Sequence, residues 1–393
     1  MPRCARIRRK TPAARRWLHG TLGLALVGWA LLTPVRAQSV ATVPTPRPEA
    51  HSEAVEKARQ QIQEWMAEKN LPSISIAVGL NGGILWAEGF GFADLEQRVP
   101  ATTLTRYRIG SVSKPLAATA VARLHERGRL DLDAPVQKFV PSFPEKPWPV
   151  TTRQLLTHTS GIRHYRSEQE VLSALHYDDV LATLDVFAGD DLLFEPGTKF
   201  GYSTFAWCLA SAVVESASGE PFLDFMRREV FAPAGMRHTV ADDVFGIVPS
   251  RARFYDRGPD GRLRNASFVD QSNKWAGGGF LSTPSDLVRF AFAMMDGKLL
   301  ESETVEQVWT PQRLASGEPI EQGLGWSIKK TGPWTVIGHG GSSVGGRTSF
   351  MTLPEHRFAL AICTNVSGGE VLPVAMILMR NFAPKPSPAP AKK

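Results

Sequence analysis

Hydrophobic residues in the first part of the chain follow two different periods. From Val55 to Trp65 they recur at every third or fourth position, which predicts an amphipathic helix over about 53–69. From Ile74 to Leu80 large apolar residues alternate with small ones, which is the period of a strand. Asn81-Gly82 then favours a tight turn, so this strand and the next apolar run, 83–89, are predicted to form a hairpin.

The remainder of the chain changes from helices to strands. Between residues 111 and 319 apolar positions recur at helical spacing, interrupted by loops rich in Pro and Gly. Two of the helices predicted there end at Gly128 and Gly219, where glycine favours termination. Four apolar runs typical of strands and a last helix complete the pattern: 325–330, 334–338, 346–353 and 358–365, then 371–382.

This order of elements predicts an α+β fold. The segments 51–110 and 320–383 contain the strands, and the mainly helical region 111–319 separates them. We expect the terminal segments to meet in one antiparallel sheet flanked by N- and C-terminal helices. Because hairpins dominate, a doubly wound parallel sheet is disfavoured. Residues 51–383 are therefore predicted to form one domain.

The N-terminus has the composition of an export signal. Residues 1–37 contain seven Arg and one Lys, no acidic residue, an apolar stretch over 21–32, and then Val35-Arg36-Ala37. This pattern predicts a signal peptide cleaved before Gln38. The apolar stretch is shorter than the roughly 20 residues that span a membrane, although an uncleaved anchor is the main alternative. An Arg-rich transit peptide is less favoured, because such peptides are amphipathic and lack an apolar block. Cleavage predicts a periplasmic or secreted protein without a membrane span.

The charge of the chain does not indicate a nucleic-acid partner. The 45 Lys and Arg exceed the 38 Asp and Glu by 7, but the predicted signal contains eight of the basic residues. The mature chain is therefore nearly neutral and has no basic excess for a phosphate backbone. Its Pro- and Ala-rich ends, 38–50 and 384–393, are predicted to be a linker and a disordered tail.

Two cysteines, Cys208 and Cys363, remain after removal of the signal. Each lies in an apolar pattern, which is typical of a buried thiol. A disulfide between them is the alternative in an oxidising compartment. Two separated cysteines do not form a metal framework, and the chain has no evident motif for an organic cofactor. No metal or cofactor is therefore predicted.

Ser111 and Lys114 form a Ser-x-x-Lys motif at the predicted start of a helix. Residues three apart share one helix face, and a helix N-terminus favours an oxyanion while disfavouring a nearby ammonium. A neutral lysine amine can serve as base for a serine nucleophile; a serine that only caps the helix is the alternative. The same spacing at Ser327 and Lys330 lies in an alternating strand, which places the two on opposite faces.

Five motifs in order give the chain a resemblance to the serine β-lactamase-like family. This family includes class C β-lactamases, D-alanyl-D-alanine carboxypeptidases, related esterases and the animal mitochondrial β-lactamase-like protein. The similarity covers about residues 55–379. The motifs are Arg-Ile-Gly-Ser-Val-Ser-Lys-Pro at 108–115, Leu-Leu-Thr-His-Thr-Ser-Gly-Ile at 155–162, Glu-Pro-Gly at 195–197 with Tyr-Ser-Thr at 202–204, Ala-Gly-Gly-Gly at 276–279 and Gly-His-Gly-Gly at 338–341.

The resemblance implies a β-lactamase/transpeptidase-like fold and acyl transfer by serine. Ser111 would attack a carbonyl group, and Tyr202 would pass the proton between Ser111 and the leaving group, with Lys114 lowering the pKa of Tyr202. The backbone N–H groups of Ser111 and Ser342 would stabilise the oxyanion. The other residues implied at the substrate site are Thr204, His339 and Gly341.

Two of these residues depart from the family pattern. Thr204 stands where an Asn is frequent, and a hydroxyl lacks the paired donor and acceptor of an amide. His339 stands where β-lactamases usually have Lys, and a histidine is only partly charged at neutral pH. Both departures disfavour β-lactam hydrolysis. The predicted activity is therefore hydrolysis of a small peptide, amide or ester through an acyl-enzyme.

Other interpretations of the motifs remain open. The two departures also fit a binding or scaffold protein with the same fold and little turnover. Lys330-Thr331-Gly332 spells the third β-lactamase motif but falls in a predicted turn. Residues 341–345 fit Gly-x-Ser-x-Gly, but a strand follows where the lipase-type elbow needs a helix. His158 is interpreted as structural, and the pattern predicts no particular oligomeric state.

Overall fold

The computed structural model describes residues 51–384. The predicted signal peptide and linker, and the predicted tail after Pro384, lie outside this range. Its helices are α1 (Ser52–Glu68), α2 (Ser113–Glu126), α3 (Thr152–Leu156), α4 (Glu168–Val171), α5 (Phe205–Ser218), α6 (Phe222–Phe225), α7 (Trp275–Gly278), α8 (Pro284–Met295), α9 (Ser302–Val308) and α10 (Leu372–Phe382). Its strands are β1 (Ser73–Leu80), β2 (Gly83–Asp94), β3 (Val99–Pro100), β4 (Tyr107–Arg108), β5 (Val240–Ala241), β6 (Tyr255–Arg257), β7 (Leu263–Asn265), β8 (Phe280–Ser282), β9 (Ser327–Thr331), β10 (Trp334–Ser343), β11 (Gly346–Leu353) and β12 (Phe358–Thr364).

The main sheet joins the two ends of the domain. Its strands lie in the order β3-β2-β1-β12-β11-β10-β9, and neighbouring strands are antiparallel. N-terminal β1 pairs with C-terminal β12, with Ala77 opposite Ala361, and the predicted hairpin is formed by β1 and β2. The α+β fold predicted from the order of elements is thereby confirmed.

Burial on both faces explains why β1 alternates between large and small residues. Ile74, Ile76 and Val78 pack in one apolar cluster with α1 and α10. On the opposite face β1 meets α8 so closely that a Cβ at Gly79 would lie 2.5 Å from the Phe292 side chain. Large residues fill the space under the terminal helices, and small ones let α8 approach the backbone.

Helix α2 passes through the interior of the helical region. Only its last turn reaches solvent, and Lys114 in its first turn is 0% exposed. It packs against α5, α7 and strand β10. A helix that is apolar all round is a core helix, so its single buried lysine is placed inside the domain.

Strand β10 is longer than its sequence pattern predicts. The apolar run predicts a strand ending at Gly338, whereas β10 continues to Ser343. Glycine has a low strand propensity, so the sequence of residues 338–341 does not predict a strand. Pairing with β11, from His339 opposite Phe350 to Ser343 opposite Gly346, supplies the hydrogen bonds that the local sequence does not favour.

Candidate active site

Ser111 lies in a short 3₁₀ turn, Gly110–Val112, that continues directly into α2. The regular helix thus begins two residues later than the motif predicts. Gly110 has φ +51°, and a Cβ there would lie 2.5 Å from the carbonyl oxygen of Ser342. Only glycine fits both the backbone conformation and the space. This close approach brings the backbone at Ser111 against β10.

Lys114 and Tyr202 both reach the hydroxyl of Ser111. Lys114 Nζ lies 3.0 Å from Ser111 Oγ, because the two residues share one face of the helical turn. Tyr202, in the loop before α5, places its Oη 2.7 Å from the same oxygen. Lys114 Nζ also lies 4.9 Å from the centroid of the Tyr202 ring. The alcohol, the amine and the phenol of the predicted site therefore converge.

The backbone of α7 holds the buried amine of Lys114. Lys114 Nζ donates a hydrogen bond of 2.6 Å to the carbonyl oxygen of Gly277. A Cβ at Gly277 would lie 2.6 Å from Cγ2 of Thr204. Glycine therefore lets α7 approach the Tyr-Ser-Thr motif at 202–204, called the tyrosine motif below. With Ser111 Oγ and this carbonyl as partners, the amine is oriented toward the nucleophile.

The glycines of β10 let this strand pack directly on the segment before α2. A Cβ at Gly341 would lie 1.9 Å from the carbonyl oxygen of Ile109. The neighbouring Ser342 is exposed, and its backbone lies beside Gly110. The predicted substrate-site residues Gly341 and Ser342 thus border Ser111.

Gly341→Ala is expected to lower both the stability and the acylation rate of the protein. The new methyl group would collide with backbone, so β10 must move; overpacking of this kind costs about 1–3 kcal/mol of unfolding free energy. A displacement of about 1 Å at Ser342 would also slow acylation roughly 10²-fold. Denaturant unfolding and labelling by a fluorophosphonate measure the two effects.

Gly340→Ala is the matched control for stability, because a Cβ at Gly340 meets no atom within 4 Å. It is expected to change the unfolding free energy by less than about 0.5 kcal/mol. Equal stability of the two alanine variants would contradict the close packing at Gly341.

His339 lies on β10 beside the cavity and is uncharged at neutral pH. Its Nδ1 lies 2.6 Å from the carbonyl oxygen of Gly340. Burial, and then the charge of Lys114, lower the pKa of His339 to about 4. The partial positive charge expected from the sequence is therefore absent at pH 7. His339 can offer a hydrogen bond to a substrate but no positive charge to a carboxylate.

Two further histidines brace the tyrosine motif. His158 is fully buried, stacks on the Tyr202 ring with centroids 4.2 Å apart, and accepts a 3.1 Å hydrogen bond from the Ser203 N–H at Nδ1. Burial lowers the pKa of His158 well below its usual range. These contacts support its structural interpretation. His164, which the sequence analysis did not single out, accepts a 3.2 Å hydrogen bond from the Thr204 N–H.

The converging groups open into a cavity of about 590 Å³. No Asp or Glu is among its lining residues in the described chain, whereas Lys274 and Arg347 are. Neither cation was predicted, since neither lies within a matched motif, although Lys274 precedes Ala-Gly-Gly-Gly by two residues. The complete lining is Ser111, His164, Tyr165, Val171, Tyr202, Thr204, Gln271, Lys274, Gly277, Gly278, His339–Val344, Arg347 and Ser367.

The competing motif matches do not reproduce the arrangement found at Ser111. Ser327 and Lys330 belong to β9, and Lys330 is exposed with its Nζ bonded to Thr335 Oγ1 at 2.6 Å. The Gly-x-Ser-x-Gly match at 341–345 spans the turn between β10 and β11 and is followed by a strand. A larger cavity, about 940 Å³, borders Trp275 and Phe280 but is not lined by Ser111.

Neither a disulfide nor a grouped set of metal ligands occurs within residues 51–384. Cys208 and Cys363 are buried and unpaired. Within this range no three His, Cys, Asp or Glu side chains are grouped as metal ligands. No helix in the same range is both long enough and apolar enough to cross a bilayer.

Comparisons with known proteins agree with this architecture. The family described as Beta-lactamase matches residues 58–380. The mitochondrial serine beta-lactamase-like protein LACTB of Mus musculus is 31% identical, over 86% of this chain and 80% of its own. The octameric penicillin-binding protein homologue from Pyrococcus abyssi superposes with a TM-score of 0.73 at 28% identity, over 83% of this chain and 76% of that chain.

A second solved structure carries the name of an amide-cleaving enzyme. The D-stereospecific amidohydrolase from Streptomyces sp. superposes with a TM-score of 0.70 at 25% identity, over 83% of this chain and 98% of that chain. The family match extends over the sheet, the helical region and every segment that surrounds Ser111. The chain therefore belongs to the beta-lactamase family.

Proposed function

We propose that this protein is a serine hydrolase that cleaves a peptide, amide or ester through an acyl-enzyme on Ser111. The observation that carries the proposal is the convergence at Ser111 Oγ, with Lys114 Nζ at 3.0 Å and Tyr202 Oη at 2.7 Å. Nucleophilic catalysis requires a nucleophile within hydrogen-bond reach of its base. The 590 Å³ cavity beside these groups provides room for a substrate.

Acylation uses each of the three groups in turn. Ser111 Oγ attacks the carbonyl carbon, and its proton passes to the amine of Lys114, which acts as the base and is also bonded to the Gly277 carbonyl. The bond from the carbonyl carbon to the leaving nitrogen or oxygen then breaks as Tyr202 delivers its phenolic proton to that atom, and Lys114 passes the proton taken from Ser111 back to Tyr202. Water repeats the attack on the resulting ester, which releases the acid and restores Ser111.

When Ser111 attacks, the carbonyl oxygen of the substrate becomes negatively charged and needs hydrogen-bond donors. The backbone N–H groups of Ser111 and Ser342 are the proposed pair, because the Ser342 backbone packs against Gly110, where a Cβ would lie 2.7 Å from Ser342 N. Hydrogen bonds from fixed backbone groups stabilise the transition state, and losing one such donor typically costs about 3 kcal/mol.

Two residues of the site, Thr204 and His339, support a particular substrate class. Thr204 lacks the amide of the frequent Asn, and the uncharged His339 lacks the charge of the usual Lys. Both features support a peptide, amide or ester over a β-lactam. The likeness to an amidohydrolase at 25% identity also supports amide or ester cleavage.

Intact-mass spectrometry after exposure to a panel of esters, D-Ala peptides and a cephalosporin tests the proposal. We expect an acyl adduct on Ser111 with an ester or a peptide, and its disappearance as product forms. An adduct that never clears, or a folded protein that no member of the panel modifies, would instead favour a binding or scaffold role with little turnover.

Export belongs to the same proposal. Residues 1–37 carry the composition of a signal peptide, and we propose that the mature enzyme acts in the periplasm or outside the cell. N-terminal sequencing of the exported protein is expected to begin at Gln38. A first residue upstream of that point in exported material would contradict cleavage.

A further inference from the structure

Lys274 is a buried cation at the edge of the active-site cavity. Its residue exposure is 8%, and it lines the same cavity as Ser111. It immediately precedes α7, the helix whose Gly277 carbonyl holds Lys114. The position is therefore fixed by the same segment that orients the catalytic amine.

The charge of Lys274 has no carboxylate partner among residues 51–384. Its Nζ donates one long hydrogen bond, 3.4 Å, to the carbonyl oxygen of Val171 and lies 5.3 Å from the centroid of the Tyr165 ring. No ion pair of the described chain includes it. Asp270, the acid on its own segment, is instead bonded to His176 Nδ1 and the Ser272 N–H, each at 2.8 Å.

Burial makes the unpaired charge of Lys274 unfavourable. Burial, with further effects of Arg108 and Lys114, lowers the pKa of Lys274 to about 8, so the amine is still mostly protonated at pH 7. Burying a charge is costly unless it is paired. No acidic side chain lines the cavity within the described residues, so an anionic group of a ligand that enters the cavity would find Lys274 without an ion-pair partner there.

We propose that Lys274 binds an anionic group of the substrate, a carboxylate separate from the scissile bond, on the helical side of the cavity. This proposal rests on the hydrolase function and specifies its substrate class. His339, across the cavity on β10, is neutral at pH 7 and does not compete for that group. Tyr165 and Val171 enclose the ammonium, so a carboxylate that reaches it meets a partly desolvated charge, where electrostatic attraction is stronger than in water.

Three p-nitrophenyl or aryl esters of similar size test the proposal. One is neutral, p-nitrophenyl pentanoate; one carries a carboxylate on the acyl part, p-nitrophenyl hydrogen glutarate; one carries it on the leaving part, 4-pentanoyloxybenzoate. We expect wild type to prefer at least one carboxylate ester, and Lys274→Met to lose that preference by about 10- to 100-fold in kcat/KM. Hydrogen bonds to charged groups have this magnitude.

The variants separate recognition from a structural role. Methionine matches the length of the lysine side chain without its charge, so the loss in kcat/KM should be larger for the carboxylate ester than for the neutral one. Lys274→Arg should retain part of the preference because it retains the charge. Lys330→Met removes an exposed lysine outside the cavity and serves as the matched control.

The outcomes distinguish this inference from the function on which it rests. An unchanged preference in Lys274→Met, no preference in wild type, or equal losses on all three esters would overturn the role of Lys274 while leaving Ser111 hydrolysis intact. Failure of every ester to acylate Ser111 in folded wild type would overturn both proposals.

Discussion

Ser111→Ala is expected to abolish covalent labelling by a fluorophosphonate probe and to reduce ester hydrolysis roughly 10⁵- to 10⁶-fold. Losses of this size follow removal of a serine nucleophile, because its oxygen forms the bond to the acyl group. The change removes one small polar atom, and Lys114 keeps its 2.6 Å hydrogen bond to the Gly277 carbonyl. The variant should therefore fold. Labelling followed by intact-mass analysis measures the result directly.

The second Ser-x-x-Lys match supplies the control for this experiment. Ser327 has the same spacing to a lysine but lies in β9, where a strand places the two side chains on opposite faces. Ser327→Ala should label as wild type does. Labelling of Ser111→Ala at the wild-type rate would remove Ser111 from the mechanism.

Lys114→Met is expected to slow acylation of Ser111 about 10²- to 10⁴-fold, the usual contribution of a general base. Lys114 is fully buried, and an unbranched methionine of similar length fills its space. Ser111 and Tyr202 remain in place, so the variant should still label slowly. The rate of fluorophosphonate labelling, measured with near-ultraviolet circular dichroism as a check on folding, separates catalysis from stability.

Lys330→Met is the matched control, because Lys330 belongs to the Lys-Thr-Gly sequence that imitates the third β-lactamase motif. Its side chain is exposed and bonded only to Thr335 among the described residues. We expect its acylation rate to stay within about twofold of wild type. An unchanged rate in a well-folded Lys114→Met would refute the assignment of Lys114 as the base. A loss of rate in Lys330→Met would show that the Lys-Thr-Gly sequence contributes to acylation, contrary to our interpretation.

The fold was largely predictable because its signals are local. The helix at 52–68 and the strands on either side of Asn81-Gly82 have clear periods, and the hairpin turn has a specific chemistry. The full length of β10 was not predictable, since residues 338–341 are rich in glycine and the strand there depends on pairing with β11. A pairing partner that is distant in the chain has no local signal.

The candidate site was predictable only where its residues lie in motifs. Ser111, Lys114 and Tyr202 carry such signals, whereas His164 and Lys274 do not. Lys274 becomes informative only when its burial is known together with the absence of an acidic partner in the described chain. A lysine in a sequence is ordinarily a solvated surface residue.

The amino-acid sequence by itself determined the order of elements, the α+β class and the residues that we propose for acyl transfer, because these depend on side-chain chemistry and short-range periodicity. Only the tertiary structure decided that Tyr202 meets Ser111 across 91 residues, that His339 is neutral and that Lys274 is buried without a carboxylate in residues 51–384. Distances between remote segments, and the solvation that governs charge, are properties of the packed chain.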